Sequence, residues 1–299
     1  MGSPDFSLPT LRALTEKHNV VGVVTQPDRA SGRGRALKPP PVKNLAQELN
    51  VPTIQPEKLR QPEAMEQLRA WSPDLIVVAA FGQILKKDVL YLPRFGSLNV
   101  HASLLPRWRG AAPVAAAILH GDETTGVTIM KMDVGLDTGP ILSQRSTPLM
   151  PDDTAGSVLE RLSHLGADLL IETLPDYLSG KIEPTPQPEE GMTYAPMLKK
   201  EEGQLDFTHP AEELERRVRA FNPWPGAFMD FDGSLLKIHR AHVIQGEAKV
   251  GQRLMYEGQP TMGTEDGLLV LDEVQPAGKK SMSGKSFLTG ARHWLPSKF

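Results

Sequence analysis

Short runs of valine, isoleucine and leucine alternate with amphipathic segments through the first half of the chain. Three such runs, NVVGVVTQ (19–26), DLIVVAAF (74–81) and SLNVH (97–101), have the composition of strands in a buried parallel sheet. The segments PPVKNLAQELN (40–50) and PEAMEQLRAW (62–71) have helical spacing and begin with proline, which a first helical turn tolerates. This alternation predicts an open, doubly wound, Rossmann-like α/β domain.

Two more strands and a long helix are expected before this pattern ends. TTGVTIMKM (124–132) and GPILSQRSTPL (139–149) have strand composition, and residues 152–178 contain a helix with an acidic start. A doubly wound domain normally opens on a strand, whereas here Met1 is followed at once by GSPDF and a helix-like segment. We therefore expect the first inner strand of the sheet to be missing, and the sheet to be less stable without it.

The composition changes after Gly180. Several prolines punctuate a polar stretch that cannot continue a helix and should run extended. Beyond it, one helix (210–221) precedes short alternating apolar segments separated by glycine-containing turns, which is typical of a small β-barrel. We predict an α/β domain over residues 1–180, a linker over 181–203 and a small barrel over 204–299.

Composition excludes several classes of protein. The 299-residue chain has no cysteine, which excludes a disulfide framework and thiolate metal sites and fits a reducing compartment. The longest apolar run, 75–81, is far shorter than the roughly 20 residues that a membrane helix needs, and no signal-peptide pattern opens the chain. We expect a cytoplasmic protein that uses neither a membrane nor a metal.

Local charge differs from the net charge of −3, which by itself does not suggest nucleic-acid binding. Five cations lie between residues 29 and 43 with no acid among them, and five more follow Val274 with no acid. Such runs are as often solvated surface as binding sites. The sequence therefore leaves two cationic patches whose function depends on other features.

Two polar side chains end the apolar strand SLNVH. Asn99 and His101 are two residues apart in a strand, so both project to one side, while Val100 faces the other. In open α/β sheets, ligands bind beyond the carboxyl ends of the strands. Asn99 can donate an N–H to an oxyanion, and His101 can donate a hydrogen bond or accept a proton. The alternative is a loop-capping asparagine beside a histidine that is satisfied by nearby backbone.

An acid lies in the glycine-flanked turn DVGLDTGP (133–140), at the end of another apolar segment. Asp137 there can orient an imidazole and stabilise its charged form, as in other catalytic triads. The alternative is a turn aspartate that bonds its own backbone. Asp133 is the competing acid, and we expect it to face solvent or backbone because it directly follows the strand.

These residues carry a family resemblance. NVHASLLPRWRGAAP (99–113), followed by TGVTIMKMDVGLDTGPIL (125–142), resembles the Asn/His/Asp formyltransferases that use 10-formyltetrahydrofolate. TQPDRASGRGRALKPPPVK (25–43), RAFNPWPGAF (219–228) and QPAGKKSMS (275–283) resemble the members that act on an aminoacyl-tRNA, so the similarity runs from Gly2 to near the end. It implies a formyltransferase catalytic domain at 1–180 and an OB-like tRNA-binding barrel at 204–299.

The resemblance implies that a formyl group passes from 10-formyltetrahydrofolate to the α-amino group of initiator methionyl-tRNA, a step of translation initiation. Asn99 and protonated His101 would hold the oxyanion, while Asp137 would orient His101 and help to move protons. The folate site would be lined by Ser103, Leu104, Leu105 and Pro106, with backbone around Phe81 and Gly82. The tRNA would be held by Arg33, Arg35, Lys38, Arg107, Arg109, Lys279, Lys280 and Lys285. For Arg109, a structural ion pair is an equal alternative. We expect the protein to be a monomer.

Three other functions fit parts of the sequence. A formyltransferase for an amino sugar nucleotide and a formyltetrahydrofolate hydrolase share the two modules, although neither requires the cationic segment at 29–43. A non-catalytic RNA-binding protein on the same scaffold is the third, and the presence of Asn99, His101 and Asp137 argues against it.

Overall fold

The computed structural model describes residues 1–31, 36–291 and 293–295. The chain divides into two compact units. The first unit comprises Met1–Pro113, Thr124–Pro148 and Leu159–Ala195, and the second comprises Val114–Glu123, Leu149–Val158 and the chain from Pro196 onward. Much of the segment that the sequence predicts as a linker thus belongs to the first unit, while the boundaries at 180 and 203 stay predictions.

Up to Ala195, the described chain forms ten strands and six α-helices. The strands are β1 (Val23–Val24), β2 (Arg29–Ser31), β3 (Ala36–Lys38), β4 (Thr53–Ile54), β5 (Ile76–Val78), β6 (Ser97–His101), β7 (Arg109–Gly110), β8 (Thr124–Lys131), β9 (Ile141–Pro148) and β10 (Tyr194–Ala195). The helices are α1 (Leu8–Lys17), α2 (Pro41–Glu48), α3 (Pro62–Trp71), α4 (Lys87–Leu90), α5 (Pro113–Leu119) and α6 (Ala155–Leu178).

The first unit has a mixed sheet in the order β5-β6-β8-β9, with a separate parallel pair, β1 and β4. Strand β5 runs parallel to β6, whereas β8 is antiparallel to both β6 and β9. The antiparallel pairing of β8 with β9 follows from chain length, because the short connection between them is not long enough for the crossover that parallel neighbours need. The predicted Rossmann-like α/β class is confirmed, with this antiparallel edge as an added feature.

The first two residues lie between β1 and β5. The Gly2 N–H donates to the Val24 carbonyl over 3.1 Å, and the Ala79 N–H donates to the Met1 carbonyl over 2.9 Å. The α-amine of Met1 donates to the Val77 carbonyl over 2.6 Å. Burial lowers the pKa of this α-amine from 8.0 to about 5. Among the described residues, this pair takes the inner position at which the sequence predicts a missing strand.

Strand β6 is buried along its whole length and separates the core from the site. Leu98 and Val100 face the core and are 0% and 2% exposed. Helix α6 approaches this face closely, since a Cβ at Gly166 would lie 2.6 Å from Val100 Cγ1. Strand alternation therefore sends Asn99 and His101 to the opposite side.

The second unit is built on a six-stranded, antiparallel sheet. Its strands are β11 (Ala227–Phe231), β12 (Ser234–Ile244), β13 (Arg253–Tyr256), β14 (Gln259–Gly263), β15 (Leu268–Pro276) and β16 (Met282–Ser283), with helices α7 (Ala211–Ala220) and α8 (Gly284–Gly290). The order is β11-β12-β15-β14-β13, with β16 on β15. Leu214, Leu271 and Trp294 are among its core residues. The predicted C-terminal unit of short strands is confirmed.

Within the described part of the chain, every helix is too short or too polar to cross a bilayer.

Candidate active site

Three side chains from two distant segments meet at the end of β6. The Asn99 amide nitrogen lies 3.5 Å from Asp137 Oδ1, and His101 Nδ1 lies 3.7 Å from Asp137 Oδ2. Asn99 and His101 are 9% and 6% exposed, and the Asp137 side chain is 14% exposed. The structure thus brings together the three residues that the sequence proposed, 38 positions apart along the chain for Asn99 and Asp137.

The turn between β8 and β9 delivers Asp137. Its φ of +51° is in the left-handed region, where aspartate is tolerated better than most residues. The backbone N–H of Gly110 donates to Asp137 Oδ2 over 2.9 Å, so the carboxylate is fixed from the side of β7. The competing acid, Asp133, instead accepts from Gly135 N and from the Thr138 hydroxyl within the turn, at 3.0 and 2.6 Å.

The imidazole of His101 is oriented by a backbone carbonyl. Nε2 lies 3.1 Å from the carbonyl oxygen of Trp108, which can only accept, so Nε2 carries a hydrogen. Nδ1 is the nitrogen that faces Asp137. Trp108 has a φ of +62°, and its backbone N–H donates to the Thr193 hydroxyl over 2.9 Å. The ring position thus depends on a residue beyond α6.

The loop that follows β6 is fixed by side chains of the neighbouring strands. The Thr128 hydroxyl donates to the Ser103 carbonyl over 2.7 Å and accepts from the Leu105 N–H over 3.1 Å. The amide nitrogen of Gln144 lies 2.8 Å from the Leu105 carbonyl. These hydrogen bonds fix the backbone of the loop at Ser103 and Leu105.

The predicted folate residues differ in accessibility. Ser103 and Leu105 are buried, and the Ser103 hydroxyl donates to the Arg107 carbonyl over 2.7 Å. Leu104 and Pro106 are half-buried. Phe81 is buried, and its carbonyl accepts from the Gln26 amide over 3.1 Å, whereas Gly82 is exposed with a φ of +79°. Their role in folate binding stays a prediction.

The predicted tRNA residues are less uniform. Arg33 and Arg35 lie outside the described residues. Lys38, Lys279, Lys280 and Lys285 are exposed, the first on β3 and the others in the second unit. The Arg107 guanidinium lies 4.3 Å from the centre of the Trp108 ring. Their contacts with tRNA stay predictions.

Arg109 is 9% exposed, and its described hydrogen-bond partner is an amide rather than a carboxylate. Its Nε and Nη2 donate to Gln187 Oε1 over 2.9 and 2.7 Å. Neither the expected tRNA contact nor an ion pair accounts for this bond. Sequence reasoning missed Gln187 and Thr193 because both lie in the predicted linker, where a polar, proline-rich composition gives no signal of tertiary partners.

No cluster of three or more His, Asp or Glu side chains suited to a metal ion occurs among the residues that the structure describes.

Comparisons to known proteins give the family of the chain. The formyl transferase family profile matches residues 3–174, and the profile of the formyl transferase C-terminal domain matches residues 197–292. The methionyl-tRNA formyltransferase of Myxococcus xanthus is 51% identical over 291 residues, covering 97% of this chain and 93% of that protein. The enzyme of the same name from Halorhodospira halophila is 50% identical over 295 residues, covering 97% and 95%. The chain belongs to the formyl transferase family, as its sequence predicts.

A solved structure shares the fold at much lower identity. The N-formyltransferase of Helicobacter canadensis, in complex with folinic acid and dTDP-3-aminofucose, is 17% identical with a TM-score of 0.66. The match covers 92% of this chain and 97% of that one. At this identity the likeness concerns the fold alone.

Proposed function

We propose that this protein transfers the formyl group of 10-formyltetrahydrofolate to the α-amino group of methionyl-tRNA, namely the initiator tRNA used to begin translation. The observation that carries the proposal is the meeting of Asn99, His101 and Asp137 at one strand end, where a nitrogen of each of the first two lies within 3.7 Å of the Asp137 carboxylate. The two relatives at about half identity over nearly the whole chain, both named for this activity, support the acceptor. A step of translation initiation implies action in the cytoplasm.

The reaction needs donors for an oxyanion and a route for one proton. The neutral amine attacks the formyl carbon, forms the new N–C bond and turns the carbonyl oxygen into an oxyanion. When the tetrahedral species collapses, the C–N10 bond breaks, N10 of tetrahydrofolate takes up a proton and the attacking nitrogen loses one. A free α-amino group has a pKa of about 7.7 to 8.0, so a usable neutral fraction exists near pH 7 without a strong base.

The geometry assigns these roles to particular atoms. The Asn99 amide nitrogen and His101 Nδ1 both point to the Asp137 carboxylate from beyond strong hydrogen-bond distance. An oxyanion placed between the two nitrogens can accept from both when Nδ1 is protonated. Preorganised donors of this kind are worth about 3 to 4 kcal/mol each in transition-state stabilisation. Asp137, held by the Gly110 N–H, keeps a negative charge beside the imidazole and can relay the proton that the amine loses.

The donor folate is proposed to lie along the loop after β6. Leu104 and Pro106 are partly accessible apolar members of this loop, and apolar walls suit a flat pterin. The exposed Gly82 leaves backbone open on the neighbouring loop. The Ser103 hydroxyl, occupied by the Arg107 carbonyl, would act by shaping the wall.

One assay separates the proposed activity from its rivals. The protein is incubated with labelled 10-formyltetrahydrofolate and, in turn, methionyl initiator tRNA, an amino sugar nucleotide, or water alone. We expect labelled formylmethionyl-tRNA and no comparable product with the other acceptors. Uncharged initiator tRNA is the matched control, because it presents the same polyanion without the amine.

Each rival predicts a different outcome of that assay. Formate release at the full rate without an acceptor would indicate a hydrolase. A product with the amino sugar nucleotide alone would indicate a sugar formyltransferase. Binding of tRNA without any formyl transfer would indicate an RNA-binding protein that does not use the site.

A further inference from the structure

The segment after α6 returns to the site and is fixed at both ends. Thr185 exchanges two backbone hydrogen bonds of 2.8 Å with Ile141 of β9. At the other end, β10 pairs in parallel with β7, with Tyr194 opposite Arg109 and Ala195 opposite Gly110. A Cβ at Gly110 would lie 2.5 Å from the Ala195 carbonyl oxygen, so the two strands are in close contact. Gln187 lies between these anchor points.

The side chain of Gln187 uses its full hydrogen-bonding capacity. Its Nε2 donates to the carbonyl oxygens of Asp137 and Gly139 over 2.8 and 2.7 Å. Its Oε1 accepts twice from the guanidinium of Arg109, over 2.9 and 2.7 Å. The orientation of the amide is unambiguous, because carbonyls only accept and a guanidinium only donates.

These four bonds join the two segments that hold the carboxylate. The Asp137 turn is bonded through its backbone, and β7, whose Gly110 N–H fixes Asp137 Oδ2, is bonded through Arg109. The Gln187 side chain thus adds a second connection between the turn and β7, beside the direct bond from Gly110 N–H to the Asp137 carboxylate. Asp137 has a positive φ, a backbone conformation that is strained for a residue other than glycine. A hydrogen bond from Gln187 to its carbonyl therefore helps to hold this conformation.

We propose that Gln187 is a positioning residue for formyl transfer, which sets the Asp137 carboxylate against His101 by bonding the Asp137 turn to Arg109. The inference rests on the proposed function. The distances from Asp137 to Asn99 and His101 are 3.5 and 3.7 Å, so a shift of the turn by 1 Å would remove both interactions. Misplacement of that size costs about a hundredfold in rate.

Gln187→Met and Gln187→Glu test this assignment with different losses. Methionine keeps the length of the side chain and loses all four bonds. Glutamate keeps acceptors for Arg109, loses both donors, and sets its own oxygens against the carbonyls of Asp137 and Gly139. We expect both variants to lower kcat for methionyl-tRNA by 10- to 100-fold, and to leave KM for tRNA and folate within threefold. Glu189→Met, at an exposed position of the same segment, is the control and should keep the wild-type kcat.

A double-mutant cycle with Asp137→Asn shows whether Gln187 acts through Asp137. Single-turnover rates with enzyme in excess are measured for the wild type, both single variants and the double variant. If the proposal holds, Gln187→Met lowers the rate less than threefold once Asp137 is changed, because residues that act as a unit are not additive. A full, multiplicative loss in the double variant would overturn it, as would a raised KM with unchanged kcat.

The cycle remains decisive under two complications. If Gln187→Met melts below the assay temperature, the same cycle with Gln187→Glu gives the answer. If the wild type formylates methionyl-tRNA and the Gln187 variants match its kcat, the positioning role is rejected and the proposed function stands. A wild type without formyl transfer rejects the proposed function itself.

Discussion

His101 lies where two polar contacts orient one ring. Its Nε2 is occupied by the Trp108 carbonyl, so the nitrogen left to act in the proposed reaction is Nδ1, which faces Asp137. The sequence predicted His101 as a site residue but could not show which ring nitrogen faces the site. That depends on the Trp108 carbonyl, whose position is set by the loop after β6 and by the left-handed φ of Trp108. This choice of tautomer is a tertiary effect.

His101→Ala should remove an oxyanion donor without removing tRNA contacts. We expect kcat to fall by at least a hundredfold, equivalent to about 3 kcal/mol or more, while the Kd for methionyl-tRNA stays within threefold because the ring is buried. Steady-state formylation and filter binding measure the two quantities. Loss of tRNA affinity with turnover preserved would reverse the assignment.

Gly110 combines a positive φ with a close contact, and its substitution should be costly. Gly110→Ala would place a Cβ 2.5 Å from the Ala195 carbonyl oxygen at a φ of +122°. We expect a loss of about 2 to 4 kcal/mol in the free energy of unfolding, from backbone strain of about 1 to 3 kcal/mol and the separation of β7 from β10. Urea unfolding measures it.

The matched control is Gly180→Ala, where φ is +76° and nothing lies within 4 Å of the added Cβ. Its φ lies near the left-handed helical region, so it carries a milder strain than Gly110 and no clash, and it should cost less than Gly110→Ala. Equal losses would show that close contact between β7 and β10 contributes nothing.

The hairpin of β2 and β3 is anchored by a local charge network. Lys43 Nζ pairs with the Asp28 carboxylate at 2.7 Å, and the Gln55 amide donates to Asp28 over 2.7 Å. The Lys43 hydrogen bond, followed by that from Gln55, holds the pKa of Asp28 below its usual value. Lys43 is one of the five cations of the segment 29–43, but in the structure its charge is paired with Asp28. Lys38, by contrast, is exposed.

Replacing Arg33 and Arg35 together with alanine should weaken tRNA binding and flatten its salt dependence. If each arginine contacts one phosphate, the slope of log K against log salt should decrease by roughly 1.4 to 1.8, because each contact releases counterions. Binding of initiator tRNA over a range of KCl concentrations gives the slope. Arg12→Ala, which removes an arginine paired with Glu48, is the control. An unchanged slope in the double variant would exclude the segment from tRNA recognition.

At the scale of the whole molecule, the buried α-amine of Met1 makes stability depend on pH. Its pKa is about 5 in the folded chain and 8.0 when unfolded. The unfolded chain therefore binds more protons between these values, and the free energy of unfolding should fall as pH drops from 8 towards 5. The full effect is about 4 kcal/mol at about 1.4 kcal/mol per pKa unit.

Urea unfolding at pH 8, 7 and 6 tests this dependence. The control is the same chain with four residues, Gly-Ser-Gly-Ser, added before Met1, which replaces the amine with an amide and leaves the histidines unchanged. The extended chain should show a shallower decline in stability on acidification. Identical slopes would contradict the assignment of the effect to Met1.

The sequence predicted much of the fold because its signals are local. Alternating apolar runs gave the α/β class, and the short strands after Gly180 gave the antiparallel C-terminal unit, since side-chain periodicity reflects burial directly. The antiparallel direction of β8 was harder to predict from the sequence, because strand direction depends on which neighbour a strand pairs with. The return of residues 181–195 to the site was missed, since a polar, proline-rich segment looks like a spacer when its partners are unknown.

By itself, the sequence determined which residue types stand at the strand end and in the turn, and the family to which the chain belongs. Asn99 and His101 share a face through strand geometry alone, which is a local property. Only the tertiary structure decided that Asp137 reaches them, that Gln187 bonds the turn to Arg109, and that Lys43 is neutralised. The physical reason is that these contacts join residues 15 to 78 positions apart, whose proximity depends on how separate elements pack and on no periodicity within any one of them.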